Sequence, residues 1–191
     1  MNNNPIISDV ENVFKIREVK TIFKIHGTVT IRTIDGSDEK IIDVIDGTVS
    51  PWNDLEYIPF QFGTVDFFDF ANKGLSSLKG CPHAVTGDFD VSKNELTTLI
   101  GGPRSVLGSY YVFNNPLTDL DGAPDEVGHT FTLSWSENIP LLRLLKYDRF
   151  HIFGGPNTLM REYAGQKPLR QAIIQCQKKL IDAGFKGNAR L

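Results

Sequence analysis

The chain has 191 residues, 40% hydrophobic and 23% charged, with a formal net charge of −3, which is the composition of a folded globular chain and excludes disordered, collagen-like and disulfide-scaffold classes. No run approaches the ~18 apolar residues of a membrane-spanning helix, and Cys81 and Cys176 are the only cysteines. The charge is divided unevenly: residues 1–139 carry −10 and residues 140–191 carry +7, an asymmetry that marks either an interaction tail or two halves that attract each other.

The N-terminus MNNNPIISDVENVF lacks a basic start followed by an apolar block, so no secretory signal is expected. With two cysteines and no leader, reduced thiols and a cytoplasmic location follow as expectations. Residues 1–9 are polar and expected to be loose. From Val10 to Val49 the pattern reads as β. Thr21–Ile25 and Thr28–Ile34 alternate, an Asp35-Gly36 turn follows, and Lys40–Ile45 reads as the second arm of a hairpin.

Between Leu75 and Ser136 the chain repeats itself every 21 residues. Leu75, Leu96 and Leu117 fall in register, as do Leu78, Leu99, Leu120 and Leu141. Gly80, Gly101 and Gly122 form a column, then Pro82, Pro103 and Pro124, then Val85, Val106 and Val127. Phe68, Phe89, Tyr110 and Phe131 form another, followed by Phe70, Val91, Val112 and Leu133. Each unit predicts a short strand with two inward side chains. Asn94 and Asn115 stand where the chain turns out of that strand, and the Gly-x-Pro blocks a long helix on the return path. Stacked units would share one core, which no unit could bury alone.

The Phe-x-Val-x-x-Asn-x-Leu heart of each unit, at Phe89, Val91, Asn94, Leu96 and again at Tyr110, Val112, Asn115, Leu117, resembles the leucine-rich-repeat consensus. FDVSKNELTTL (89–99) looks like the short bacterial type found in secreted effectors of enteric pathogens. The fuller pattern L-x-x-L-x-G-x-P-x-x-V-x-G-x-F, with the ending QKKLIDAGFKGNARL at 177–191, is similar to a group of repeat proteins of tailed bacteriophages and some bacteria. The resemblance covers roughly residues 42–191. It departs from the pattern at Lys73 and Ser136, which replace the strand-exit Asn, and at Val85, Val106 and Val127, one residue early for the first consensus leucine. It implies an α+β leucine-rich-repeat solenoid with short parallel strands in residues 51–139. An open coil exposes its core, so residues 1–50 read as a β-rich N-terminal cap, with 10–50 alternatively a small β subdomain continuous with the first coil, and 140–191 as a helical C-terminal cap.

Residues 51–74 read as an irregular first coil. One residue is missing between Val65 and Phe68, and Trp52, Tyr57, Phe60, Phe62, Phe67, Phe68 and Phe70 crowd there as expected core filler. After Ser136 the period fades. Pro140 followed by LLRLLK predicts a short helix, Phe150–Phe153 a short strand, and Asn157–Tyr163 a brief helix. Pro168–Ala183 predicts the clearest helix, with Leu169, Ala172, Ile173, Cys176, Leu180 and Ile181 on one stripe and Gly184 as its stop.

Chemistry is hard to find. There is no phosphate-binding loop, nucleotide fingerprint, nucleophile elbow, zinc-protease signature or Cys-x-x-Cys. Cys81 and His83 are close, but Cys81 takes the tight slot of Gly102 and Ala123, so packing is the simpler reading. His26, His129 and His151 assemble no metal site, and Asp35, Asp38 and Glu39 miss the EF-hand spacing. Asp119, Asp121, Asp125 and Glu126 read as a solvated acidic rim. No enzyme activity, cofactor or metal is expected.

The informative positions are the outward ones flanking the inward columns: Asp69, Asp90, Tyr111 and Thr132; Ala71, Ser92, Phe113 and Ser134; then Asn72, Lys93, Asn114 and Trp135. These would line the concave face on which solenoids bind. Exposed aromatics are typical interface anchors, so Asp69, Asp90, Ser92, Tyr111, Phe113, Thr132, Ser134 and Trp135 are the candidate protein-binding residues, unless a terminal segment folds over them. The phage resemblance implies an accessory protein that engages, modulates or inhibits a host or defence protein in the host cytoplasm. The alternatives are a nucleic-acid binder using the basic C-terminal segment, a virion component and an enzyme hidden in the C-terminal region.

Overall fold

The computed structural model describes residues 5–34 and 37–191. Residues 1–4 and the Asp35-Gly36 turn, with Asp35 as a cation candidate, lie outside the described residues. The chain forms a parallel-strand β-solenoid of about 5 turns with a few helices. It opens with helix α1 (Pro5–Ile22), which corrects the expectation of a loose start and of β structure from Val10. Val10, Val13, Ile16, Val19 and Ile22 are β-branched, the residue type of strands. A spacing of three drifts round a helix rather than marking one face, and of the described side chains of α1 only Val19 is fully buried, so no apolar stripe announces the helix.

Strands β1 (Phe23–Ile25) and β2 (Thr28–Thr33) pair antiparallel with opposite ends of β3 (Lys40–Pro51). The expected hairpin is therefore present, with Thr33 opposite Lys40. β3 also pairs parallel with β4 (Gln61–Asp69), bringing Ile42 opposite Phe62 and Val49 opposite Phe68. The hairpin arm is thus the first rung of the solenoid.

From β4 two parallel ladders diverge. Phe68–Asp69 leads through β6 (Phe89–Asp90), β8 (Tyr110–Tyr111) and β10 (Phe131–Ser134) to β11 (Phe150–Phe153). Thr64–Val65 leads through β5 (Ala84–Val85) and β7 (Ser105–Val106) to β9 (Glu126–Val127). Each repeat therefore contributes two short strands where one was expected. The second is the Val85, Val106, Val127 column. No helix intervenes between β4 and β10, as the Gly-x-Pro return path requires.

The inward columns build one core. Phe68 and Phe89 stack at 5.2 Å between ring centroids, Phe89 and Tyr110 at 5.0 Å. Tyr110 and Phe131 follow at 5.0 Å, Phe131 and Tyr147 at 5.1 Å. Phe23 of β1 closes the N-terminal side against Phe60, Phe62 and Phe70. Tyr147 closes the other, its hydroxyl donating to the Pro124 carbonyl at 2.5 Å. Of the seven aromatics expected in the first coil, Phe60, Phe62, Phe68 and Phe70 are buried, whereas Trp52, Tyr57 and Phe67 are exposed. In β4 Phe67 is exposed between half-buried Asp66 and buried Phe68, and Trp52 and Tyr57 lie in the loop after β3.

Tyr110 is the one hydroxyl in a column otherwise made of phenylalanine. It is fully buried, and its oxygen has no hydrogen-bond partner; burial pushes its pKa well up. The same coil carries glycine at 102, where Cys81 and Ala123 stand in the neighbours, and a Cβ on Gly102 would lie 3.3 Å from that oxygen. The larger ring and the missing side chain are one packing compensation. Tyr110→Phe is expected to raise the unfolding free energy by about 1 kcal/mol, because an unmade buried hydrogen bond costs about 1–3 kcal/mol and the ring packing survives. Urea denaturation checks this; a drop in stability would mean the hydroxyl has a partner.

After the ladders come a 3₁₀ turn at Leu141–Lys146, β11, helix α2 (Asn157–Arg161) and helix α3 (Leu169–Asp182). These lie where the sequence placed a short helix, a strand and two helices. α3 buries Ala172, Cys176 and Leu180, while Leu169 and Ile173 are half-buried and Ile181 is exposed, so the stripe is narrower than its spacing implied. Gly184 terminates it at φ +88°, with the Gly184 N–H on the Ile181 carbonyl and the Phe185 N–H on the Leu180 carbonyl.

Candidate protein-binding face

The outward face of the ladder β4–β6–β8–β10–β11 gathers the candidate residues. Strand pairing carries Asp69 to Asp90, Tyr111, Thr132 and then His151. The next outward column ends Ser134–Phe153. His151 and Phe153 were missed because β11 follows β10 by 19 residues, not 21. Their only signal was the alternation of Phe150 and Ile152, both buried, with His151 and Phe153 between and beside them.

The candidates differ in what they offer. Asp69 is exposed, and Asp90, Tyr111, Phe113 and Ser134 are half-buried. Ser92 and Thr132, at 1% and 6% exposure, present almost no surface. They are short side chains in the floor of the face, and they drop out as contact residues. Phe113 meets Phe153 edge-to-face at 5.2 Å, and His151 meets Phe153 edge-to-face at 4.6 Å. Phe153 is 48% exposed. Trp135 is held from behind. Its indole N–H donates to Asn188 Oδ1 at 3.1 Å, and its ring meets Phe185 edge-on at 6.2 Å. It is still 38% exposed, so the C-terminal segment pins one side of the ring and leaves the other open.

The acidic end is built by local turns. Asp69 Oδ1 accepts from the Ala71 N–H at 3.3 Å and Asp90 Oδ1 from the Ser92 N–H at 2.9 Å. Asp88 Oδ1 accepts from the Ser109 N–H at 2.7 Å. Among the described residues none of the three pairs with a cation within 4.0 Å. Phe67, 47% exposed, stands beside them. The third outward column is where the strands end. Asn72, Lys93 and Asn114 adopt positive φ of 54–58°, which asparagine tolerates better than lysine does.

Cys81 and Cys176 are buried, and burial raises both thiols, Cys176 to about 12, which disfavours the reactive thiolate. Among the described residues no group of three His, Cys, Asp or Glu side chains is placed to hold a metal ion, and no helix is long and apolar enough to cross a membrane. A hollow of about 650 Å³ lies over the Gly-x-Pro returns, with Gln61, His83, Arg104 and Asp125 at its margin and Gly101, Gly102 and Gly122 in its wall. No family model matches the chain, and searches of curated proteins and of solved structures return no match.

Proposed function

We propose that the chain is a leucine-rich-repeat protein whose terminal segments cap the solenoid, and that it acts by binding another protein through the outward face of the long ladder. The observation that carries this reading is the cluster of partly exposed rings Tyr111, Phe113, Phe153 and Trp135 with carboxylates at Asp69 and Asp90 beside it. Rings left open on a rigid sheet are the anchors of protein interfaces, and bordering charges set orientation. The repeat's resemblance to phage proteins supports a host or defence protein as the partner, bound in the host cytoplasm and thereby modulated or inhibited.

Phe113→Ala and Phe153→Ala separate binding from folding, since both rings lie on the surface side of the strands. Each is expected to melt like the parent and to lose roughly 2 kcal/mol or more of binding to a protein captured from bacterial lysate. Full capture by both folded variants would move the contact elsewhere. Trp135→Ala is a poorer test because it also frees Asn188, whose side chain holds the Ser136 and Ile139 carbonyls. Nucleic-acid binding through residues 140–191 is the competing reading. It requires affinity that falls steeply with salt, which an aromatic contact does not.

A further inference from the structure

The positive charge of the C-terminal quarter is not spread evenly over its surface. Several of its cations serve the fold. Arg143 reaches the Asp121 carboxylate at 2.5 Å, and Lys146 donates to the Pro124 carbonyl at 2.8 Å. Arg190 donates to the carbonyls of Gly187 and Asn138. Arg149 and Arg161 do neither. Among the described residues neither guanidinium forms an ion pair or a side-chain hydrogen bond. Arg149 and Arg161 both line a single hollow of about 290 Å³ at the far end of the long ladder, together with Thr130, Asp148, Phe150, His151 and Ala164.

The backbone that carries these groups is fixed. Arg149 accepts the Phe131 N–H on its carbonyl at 3.2 Å, and His151 is paired to Thr132. Arg161 ends α2, whose first residue, Asn157, holds the Ile152 N–H through Oδ1 at 2.8 Å. Two guanidiniums face one carboxylate, so the hollow is net positive before His151 is counted. The volume lies near the lower end of ligand pockets, which suits a compact head group better than a whole drug-sized ligand. Two arginines lining one hollow supply planar forks that suit the several oxygens of a tetrahedral oxyanion.

We propose that this hollow binds a phosphate group, gripped between Arg149 and Arg161, with the Thr130 hydroxyl and the His151 ring as further donors. The outward columns support the placement: along the ladder Asp88 gives way to Arg149, and Asp69 and Asp90 give way to His151, so the face is acidic at one end and basic at the other. A free phosphate and a phosphorylated side chain carry the same dianion, and the test separates them.

The full chain, with ¹⁵N-labelled arginine, is titrated with inorganic phosphate and separately with a phosphoserine tripeptide, each at ionic strength held constant with sodium chloride. Saturable shifts of the Arg149 and Arg161 Nε–H resonances are expected, assigned by their loss in Arg149→Gln and Arg161→Gln. Each substitution should weaken binding by about tenfold or more, the loss of one charge-assisted fork. Both side chains are exposed, so both variants should melt like the parent. Lys178→Gln, an exposed cation of α3 outside the hollow, should bind as the parent does. Tighter binding of the tripeptide points to a phosphorylated protein; equal or tighter binding of inorganic phosphate points to a small phosphate. Shifts that chloride reproduces, or equal binding by both arginine variants, would overturn the proposal.

Discussion

Asn94→Ala is expected to lower the unfolding free energy by about 3–5 kcal/mol. The side chain is buried and works between two coils. Its Oδ1 accepts the N–H groups of Lys73 at 2.9 Å and Leu75 at 3.0 Å, one coil back. Its Nδ2 donates to the carbonyls of Phe70 at 2.8 Å, Val91 at 2.9 Å and Ser92 at 3.2 Å. Removing it orphans two backbone donors at about 1–3 kcal/mol each and takes the Phe70 carbonyl's donor, while the Val91 carbonyl keeps Asn115 Nδ2 and the Ser92 carbonyl keeps the Asn72 N–H. Asn115 provides the internal comparison. It is half-buried, accepts only the Leu96 N–H at 3.1 Å, and donates to the Val91 and Val112 carbonyls. Urea denaturation of the two alanine variants should rank Asn94 above Asn115. Equal small losses would mean that water replaces the side chain and that the asparagines are turn formers only.

This ladder was half legible in the sequence. The 21-residue spacing placed Asn94 and Asn115 at strand exits, and the turn chemistry of asparagine suggested that they bond backbone. What the spacing could not convey is that each bonds the coil before it, since that depends on how far apart the coils stack. The inward columns were fully legible because a period of 21 puts identical positions in register, and Phe68, Phe89, Tyr110 and Phe131 stack as that implies. The second ladder was hidden in its brevity: two residues such as Ser105–Val106 carry no alternation to detect. The α1 segment was misread because its β-branched residues read as strand and their spacing marks no helical face, whereas residues 10–50 allowed two readings, a cap or a β subdomain continuous with the first coil, and the docking of β3 on β4 fits the second.

The candidate face was legible for a related reason. Where Tyr110 and Val112 must point inward, Tyr111 and Phe113 must point out, and they do. Two things escaped. Depth is one: Ser92 and Thr132 point outward yet stay buried, because a short side chain cannot reach past its neighbours. Continuity is the other. β11 adds His151 and Phe153 with a 19-residue step, so the basic end of the face came from a segment in which the repeat had faded. The ladder thus carries Asp69, Asp88 and Asp90 toward one end and Arg149 and His151 at the other. A partner laid along the ladder would meet carboxylates first and the Arg149 guanidinium last, which would orient it.

Gly122→Ala is expected to cost about 3–4 kcal/mol, and Gly74→Ala about 1 kcal/mol. Both glycines hold positive φ, +82° and +75°, which an L side chain adopts only with strain of about 1 kcal/mol. They differ in what lies beyond. A Cβ on Gly74 would meet nothing within 4 Å. On Gly122 it would overlap the Leu99 carbonyl of the preceding coil and crowd the Ile100 nitrogen. Those are backbone atoms, and Leu99 is tied to the same return by its N–H to the Asp121 carbonyl at 2.9 Å, so the coil cannot move aside without breaking a rung. Overpacking of this kind adds about 1–3 kcal/mol. Gly80 occupies the same place two turns earlier, with its Cβ position overlapping the Phe60 carbonyl, so Gly80→Ala should follow Gly122→Ala. The difference between the Gly122 and Gly74 variants, read from urea midpoints at constant m, isolates the contact between coils from the strain of the turn. If the two variants lose the same stability, the coils are able to slide apart, and the close stacking that spaces the outward residues is softer than the fold requires.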